Sequence, residues 1–216
     1  MPNQYAVIGL GRFGASVALT LSNLGHDVLA IDKNETLVHT LAEQVTHAVQ
    51  ADAQEEENLK ALGLRNFDAV VVAIGDDVEA NILITVMLKE MGVKQVITKA
   101  QSDLHGKVLQ RVGADRVIFP ERDMGMRLAY NLVTGNVLDL IELAPGYSVM
   151  EITPPVWFLN KSLKELNLRA KYEVSVVVVK KPAGLVTVPG ADTVIEDGDT
   201  LVLVGRNQEL ARLQKE

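Results

Sequence analysis

Gly9-Leu10-Gly11-Arg12-Phe13-Gly14 sets three glycines at spacings of two and three, directly after an apolar run and at the head of a helical pattern. That arrangement suits phosphate. One glycine allows a tight turn, one lets the backbone approach an anion, and one lets helix and strand pack closely. The free N–H groups at the helix start add a partial positive charge. Asp32 follows 18 residues after Gly14, close to the ~20 expected of an acid that binds ribose hydroxyls. The chemistry implied is binding of a dinucleotide or mononucleotide; the alternative is a loop that only packs.

Other residues fall where such a site collects its ligands, at the C-terminal ends of expected strands. They are Asp52, then Ile74, Gly75 and Asp76, and Lys99, with His105 one helical turn into the next helix. Each of these polar residues reads equally as a solvated turn or strand end. Arg12 stands inside the glycine loop at a position the motif leaves free, where a guanidinium favours a ligand with terminal negative charge. Glu121 follows Pro120 after a strand. It is either a first-turn acid that complements the helix dipole or a carboxylate for a hard cation beside phosphates.

Groups for redox catalysis are missing. There is no Tyr-x-x-x-Lys pair, and the last 80 residues contain no histidine. A dehydrogenase must move a proton alongside the hydride. A non-enzymatic nucleotide-binding protein is therefore expected, with an NAD-dependent oxidoreductase carrying a small substrate domain as the alternative.

The elements that must hold these residues alternate. Residues 5–10, 27–31, 47–51, 68–74, 95–99 and 116–119 are short apolar runs, as buried parallel strands are. Between them, apolar residues recur at helical spacing, as at Phe13, Val17, Leu21 and Leu24. Strands alternating with helices imply right-handed crossovers and a Rossmann-like doubly wound parallel sheet. Residues 121–133 follow as a helix with two apolar stripes, Met124, Leu128 and Leu132 on one and Met126, Tyr130 and Val133 on the other. A surface helix needs one stripe. Either the helix is sandwiched within its own chain or it packs on a second subunit.

Beyond Gly135 the period changes. Residues 149–152, 174–179 and 201–204 read as strands, 163–168 and 207–213 as short helices, with turn residues between. Two domains are expected, 1–135 and 136–216, an α/β nucleotide-binding domain and a small α+β domain. The 21 Lys and Arg against 28 Asp and Glu leave a formal charge of −7, and no basic run suggests nucleic acid as a partner. The chain has no cysteine, which excludes disulfides and thiolate sites. No apolar stretch approaches the ~18 residues of a membrane span, and the N-terminus does not read as a signal peptide.

Taken together, these residues resemble the cytosolic regulatory subunits of bacterial potassium transporters, the KtrA/TrkA family with RCK (regulator of K⁺ conductance) domains. The likeness runs through residues 7–14, 64–68, 73–75, 98–101, 112–116, 120–124, 136–139 and 168–172, and leans to the Ktr branch. The resemblance implies a Rossmann-like RCK-N domain and a small α+β RCK-C domain. It implies dimers that assemble into a homo-octameric ring on the cytoplasmic face of an integral-membrane K⁺-translocating subunit. The protein would then be cytoplasmic and peripheral, held by protein contacts without lipid insertion. ATP would activate and ADP inactivate, with NAD(H) as a further ligand.

The nucleotide would contact Gly9, Gly11, Arg12, Phe13 and Gly14, then Asp32, Lys33 and Asn34 at ribose, with Asp52 and Ala53 near adenine. Ile74, Gly75 and Asp76 would run along it, and Lys99, Ala100, Gln101, His105 and Glu121 would complete the pocket, Glu121 also meeting Mg²⁺ or Ca²⁺. Cyclic di-AMP would bind in the RCK-C region around Arg169, Tyr172, Val174 and Ser175; Ser175 and the stretch 154–158 depart from the common pattern.

Overall fold

The computed structural model describes residues 2–134 and 137–213. Two compact units make up the chain, Met1–Arg122 and Asp123–Glu216. The boundary expected between residues 135 and 136 lies outside the described residues.

The first unit alternates strand and helix: β1 (Gln4–Ile8), α1 (Arg12–Asn23), β2 (Asp27–Asp32), α2 (Glu35–Leu41), β3 (His47–Gln50), α3 (Glu56–Ala61), β4 (Ala69–Val72), α4 (Val78–Glu90), β5 (Val96–Lys99), α5 (Asp103–Arg111) and β6 (Arg116–Ile118). The six strands form one parallel sheet in the order β3-β2-β1-β4-β5-β6, the doubly wound sheet expected. Side chains alternate across it. Ile8, Ile31, Val70 and Val72 enter one apolar cluster with Ile84 and Leu88 of α4. Val7, Ala30 and Val71 enter another with Ala18 of α1 and Val38 of α2. Burial on both faces is why these strands read as continuous apolar runs. Caps fix the helix starts. The side chains of Asn34, Asp77 and Ser102 accept from backbone N–H groups at the heads of α2, α4 and α5, as short polar residues do at N-caps.

Helix α6 (Pro120–Thr134) begins in the first unit and runs into the second. Of the expected stripes, Met124, Leu128 and Leu132 are 60%, 57% and 75% exposed and Met126 is 48% exposed. The side chains of Tyr130 and Val133 lie outside those described.

The second unit continues with β7 (Val137–Ala144), β8 (Tyr147–Ile152), β9 (Lys161–Ser162), α7 (Leu163–Leu166), α8 (Leu168–Tyr172), β10 (Ser175–Lys181), β11 (Gly184–Thr187), β12 (Val194–Ile195), β13 (Thr200–Arg206) and α9 (Asn207–Arg212). Its main sheet is antiparallel, ordered β11-β10-β13-β8-β7, and β9 pairs with β12. Phe158, Ile152, Leu166, Val179, Ile195, Leu201 and Leu210 form its core. The helix expected over 163–168 ends at Leu166 and a second begins at Leu168, because Asn167 turns left-handed with φ 48°. Strands β7 and β11 were not expected; they are the two edges of the sheet.

Candidate functional site

The sheet order reverses direction between β1 and β4, and a ligand crevice belongs at that point. A cleft of about 280 Å³ opens there, lined by the C-terminal ends of β1 to β4 and by α4. Gly9 and Gly11 line it from the loop after β1, with Asp32 and Lys33 after β2 and Asp52 and Ala53 after β3. Ile74, Gly75 and Asp76 close it after β4. Residues from positions 9 to 76 thus converge because four parallel strands end on one edge.

The three glycines do different work. Gly9 has φ 91°, and a Cβ there would lie 3.0 Å from Ile74 N. A Cβ on Gly14 would meet Gly9 O at 1.8 Å, so Gly14 is required for packing α1 on the sheet. A Cβ on Gly11 would meet nothing within 4 Å. Gly11 is also the N-cap of α1 and makes no side-chain cap bond, and the first turn of α1 carries no acid. The open, electropositive helix end faces the cleft side of the loop, as anion sites do.

Asp32 accepts from Leu10 N at 2.6 Å through Oδ2 and from Asn34 N at 2.8 Å through Oδ1. It therefore ties the glycine loop to the end of β2, and each oxygen keeps lone-pair capacity for a hydroxyl. Asp52 Oδ1 accepts from Gln54 N at 2.9 Å. The side chain of Asn34 is engaged as the α2 cap, accepting from Thr36 N.

A charged cluster stands beside the cleft. Lys99 Nζ lies 3.0 Å from where a Gly75 Cβ would be and donates to Glu121 Oε1 at 2.5 Å. Lys99 is 12% exposed and Glu121 67%. The Lys99 hydrogen bond holds the Glu121 carboxyl below its ordinary value, assisted by its own backbone N–H and by the charges of Lys99 and Arg12. Arg12 itself is exposed at the head of α1. At the head of α5, His105 is 5% exposed, and its Nδ1 accepts from Gln101 N at 3.3 Å. The ring proton therefore sits on Nε2, which is buried without a hydrogen-bond partner among the described residues. Burial pushes the His105 pKa down. Ala100 is buried, its N–H donating to Ile118 O. Phe13 packs against the apolar cluster of the first unit.

Of the eighteen residues expected at the nucleotide, the geometry gathers nine along the cleft wall. Lys99, Glu121 and Arg12 form the adjoining cluster, and Phe13, Gly14, Asn34, Ala100, Gln101 and His105 serve packing, capping or the 100–102 turn. The sequence reading missed Leu37, Gln54, Asp77, Ala80 and Ile84, which also line the cleft. Asp77 carries a local signal as a helix cap; the others are visible only once α2, α3 and α4 are placed.

Glu121 supplies a single carboxylate, already held by Lys99. Among the described residues no group of three His, Cys, Asp or Glu side chains comes together to hold a metal. Hard divalent cations take six or more oxygens, so these residues do not build a cation cage by themselves.

In the second unit, a cavity of about 300 Å³ is lined by Arg169, Val174 and Ser175 with Lys164, Val176 and Pro189. Tyr172, grouped with them by the resemblance, is 8% exposed and packs in the core.

A parallel six-stranded sheet with a glycine loop, a helix N-terminus and a strand-end acid around one crevice defines a Rossmann-type nucleotide-binding domain, here followed by a small antiparallel domain. Residues 5–120 match the TrkA-N domain family and residues 148–216 the TrkA-C domain family. The chain is 44% identical over 215 residues to the Ktr system potassium uptake protein C of Bacillus subtilis, covering 100% of this chain and 97% of that one. It is 40% identical over 212 residues to the Ktr system potassium uptake protein A of Vibrio alginolyticus, covering 98% and 96%. The chain belongs to this Ktr/TrkA family of potassium uptake proteins, which is not a family of enzymes.

Among solved structures, the GsuK channel superposes with a TM-score of 0.73 at 20% identity, over 99% of this chain and 39% of the channel. The same channel bound to NAD gives 0.53 at 21% identity over 99% and 38%, and bound to ADP 0.55 at 16% over 62% and 35%. This chain thus spans about two fifths of the channel's length, and the likeness is one of fold.

Proposed function

We propose that the protein is a cytosolic regulatory subunit that controls potassium flux through a membrane partner by binding a nucleotide in the cleft at the β1/β4 switch. The observation that carries this is Gly11. It has no packing reason to be glycine, yet it caps an open helix N-terminus at the edge of the cleft, beside the Asp32 carboxylate that holds Leu10 N. A ligand that presents a phosphate and a ribose hydroxyl to this one edge accounts for both. The Ktr relatives and the NAD- and ADP-bound GsuK channel support the same reading.

ATP and ADP are the expected ligands, with ATP activating and ADP inactivating, and NAD(H) a further ligand. A regulator must prefer different conformations with different ligands, because equal affinity for both states shifts nothing. Arg12 is the cation of the glycine loop and the group suited to the γ-phosphate. Mg²⁺ or Ca²⁺ belongs to this reading as a companion of the phosphates, with Glu121 as its protein ligand among the described residues. The exposed Met124–Leu128–Leu132 stripe supports assembly into dimers and a ring, an octamer in the Ktr arrangement, seated on the cytoplasmic face of an integral-membrane K⁺-translocating subunit. No helix among the described residues is long and apolar enough to cross a membrane, in keeping with attachment through protein contacts. The Arg169–Val174–Ser175 cavity is where cyclic di-AMP would bind.

Calorimetric titration with ATP, ADP and NADH, with light scattering in each state, tests the reading. Asp32→Ala should weaken every ribose-containing ligand by on the order of 1.5–3 kcal/mol, the value of a hydrogen bond to a charged group. Arg12→Ala should weaken ATP more than ADP. Absence of binding for all three nucleotides in the unmodified protein would refute the reading.

A further inference from the structure

We propose that Asn81 is a positioning residue of the nucleotide site, which fixes Lys99 against Gly75 by bridging the two strand ends where the sheet opens. The inference rests on the cleft being a nucleotide site.

The β4–β5 ladder ends at the pair Val72↔Thr98. Past that rung the two chains separate. Ile74 and Gly75 turn into the cleft wall, while Ala100 N bonds Ile118 O of β6. Two strand-end carbonyls, of Ile74 and Lys99, are left without the backbone N–H donor that a further rung would have offered each. The Asn81 amide takes its place. Its Nδ2 donates to Ile74 O at 2.7 Å and to Lys99 O at 3.1 Å. Its Oδ1 accepts from Thr98 Oγ1 at 2.7 Å. Asn81 and Thr98 are both 0% exposed, so both amide protons are committed to these two carbonyls.

Its location makes this more than a satisfied core amide. Asn81 is anchored in α4 by its own N–H to Asp77 O and by Thr85 Oγ1 to its carbonyl. Its neighbour Ala80 lines the cleft. One of the carbonyls it holds belongs to the residue before Gly75; the other belongs to Lys99, whose Nζ lies over Gly75 and reaches Glu121. The amide therefore sets the separation between the cleft wall and the cation beside it. Only an amide does this at that reach: a carboxylate has no proton to donate to either carbonyl, and an apolar side chain leaves both orphaned.

A double-mutant cycle on the full chain tests the proposal, with ATP affinity measured by calorimetry and folding by circular dichroism. Asn81→Ser and Lys99→Ala should each weaken ATP about tenfold, and the double variant should be no weaker than Lys99→Ala alone, since groups that act through one another are not additive. Thr98→Val leaves both Asn81 donor bonds in place; it should lower the melting temperature but hold ATP affinity within about threefold. Losses that multiply in the double variant, or a Thr98→Val loss equal to that of Asn81→Ser, would reduce Asn81 to core structure. If Asn81→Ser does not fold, Asn81→Gln replaces it in the same cycle: its amide keeps both donors but reaches one methylene further and so displaces the two strand ends, and the same criterion applies. Failure of the unmodified protein to bind ATP would count against the site itself rather than against Asn81.

Discussion

The two units turn their backbones by different means. In the first, the described left-handed positions are glycines, at 9, 25, 63, 92 and 113. Among the described residues of the second, Asn160, Asn167, Glu173 and Val188 take positive φ beside three glycines. Left-handed backbone costs an ordinary residue about 1–2 kcal/mol, less for asparagine. The parallel unit thus avoids backbone strain, whereas the antiparallel one stores it around a smaller core. The difference teaches where each is vulnerable: the first at a few close approaches of backbone to backbone, the second in its apolar packing and its strained turns.

The sharpest break in the first unit is at Gly14. Gly14→Val drives a side chain into Gly9 O, and overpacking of that severity should cost about 3 kcal/mol or more and abolish nucleotide binding. Gly11→Ala, two positions beyond Gly9 in the same motif, meets no atom. It should change stability by less than about 1 kcal/mol while still losing nucleotide affinity. Thermal melts paired with titrations separate the two; equal destabilisation by both would contradict the division of labour among the glycines.

The second unit should break at its core. Phe158 is fully buried, and Phe158→Ala should cost about 3–5 kcal/mol while ADP affinity at the first unit holds. Loss of ADP binding in a protein that still shows its parallel-sheet circular dichroism would make the contrast between the units too simple.

Strain offers a smaller effect of opposite sign. Val188 is β-branched, 87% exposed and at φ 55°. Val188→Asn should stabilise the protein by about 1 kcal/mol, because asparagine tolerates that conformation. A lower melting temperature in the variant would show that Val188 is held by contacts its exposure does not reveal.

The smallest effect is a pH dependence in the first unit. His105 is buried neutral, its folded pKa below the ordinary 6.5. Between those two values the unfolded chain binds more protons than the folded one, so stability falls as pH drops below about 6.5. Protonation of Nδ1 would also displace the Gln101 N–H. His105→Gln should flatten that part of the stability profile, measured by urea denaturation. A profile unchanged in slope would assign the acid sensitivity elsewhere.

The sequence by itself determined the nucleotide-binding half in outline. Six buried strands read as six apolar runs in the right order, and the glycine loop, Asp32 and the residues at strand ends 52 and 74–76 meet in one cleft. These signals are local, since a parallel strand covered on both faces is apolar throughout and a phosphate loop needs its glycines within six positions. The antiparallel half was legible only in part. Its edge strands β7 and β11 escaped because an edge strand is covered on fewer sides and its apolar residues, such as Ile141, Leu143 and Leu185, stand exposed. Within the site, sequence proximity could not separate Gly11, open to a ligand, from Gly14, pressed on Gly9. Nor could it pair Lys99 with Glu121 across 22 positions, or raise Asn81 above any other polar residue of a helix. Those relations follow from the strand order. Once β4 and β5 lie side by side and part beyond Thr98, a buried amide in α4 meets two carbonyls left without partners, and only the tertiary structure brings them within its reach.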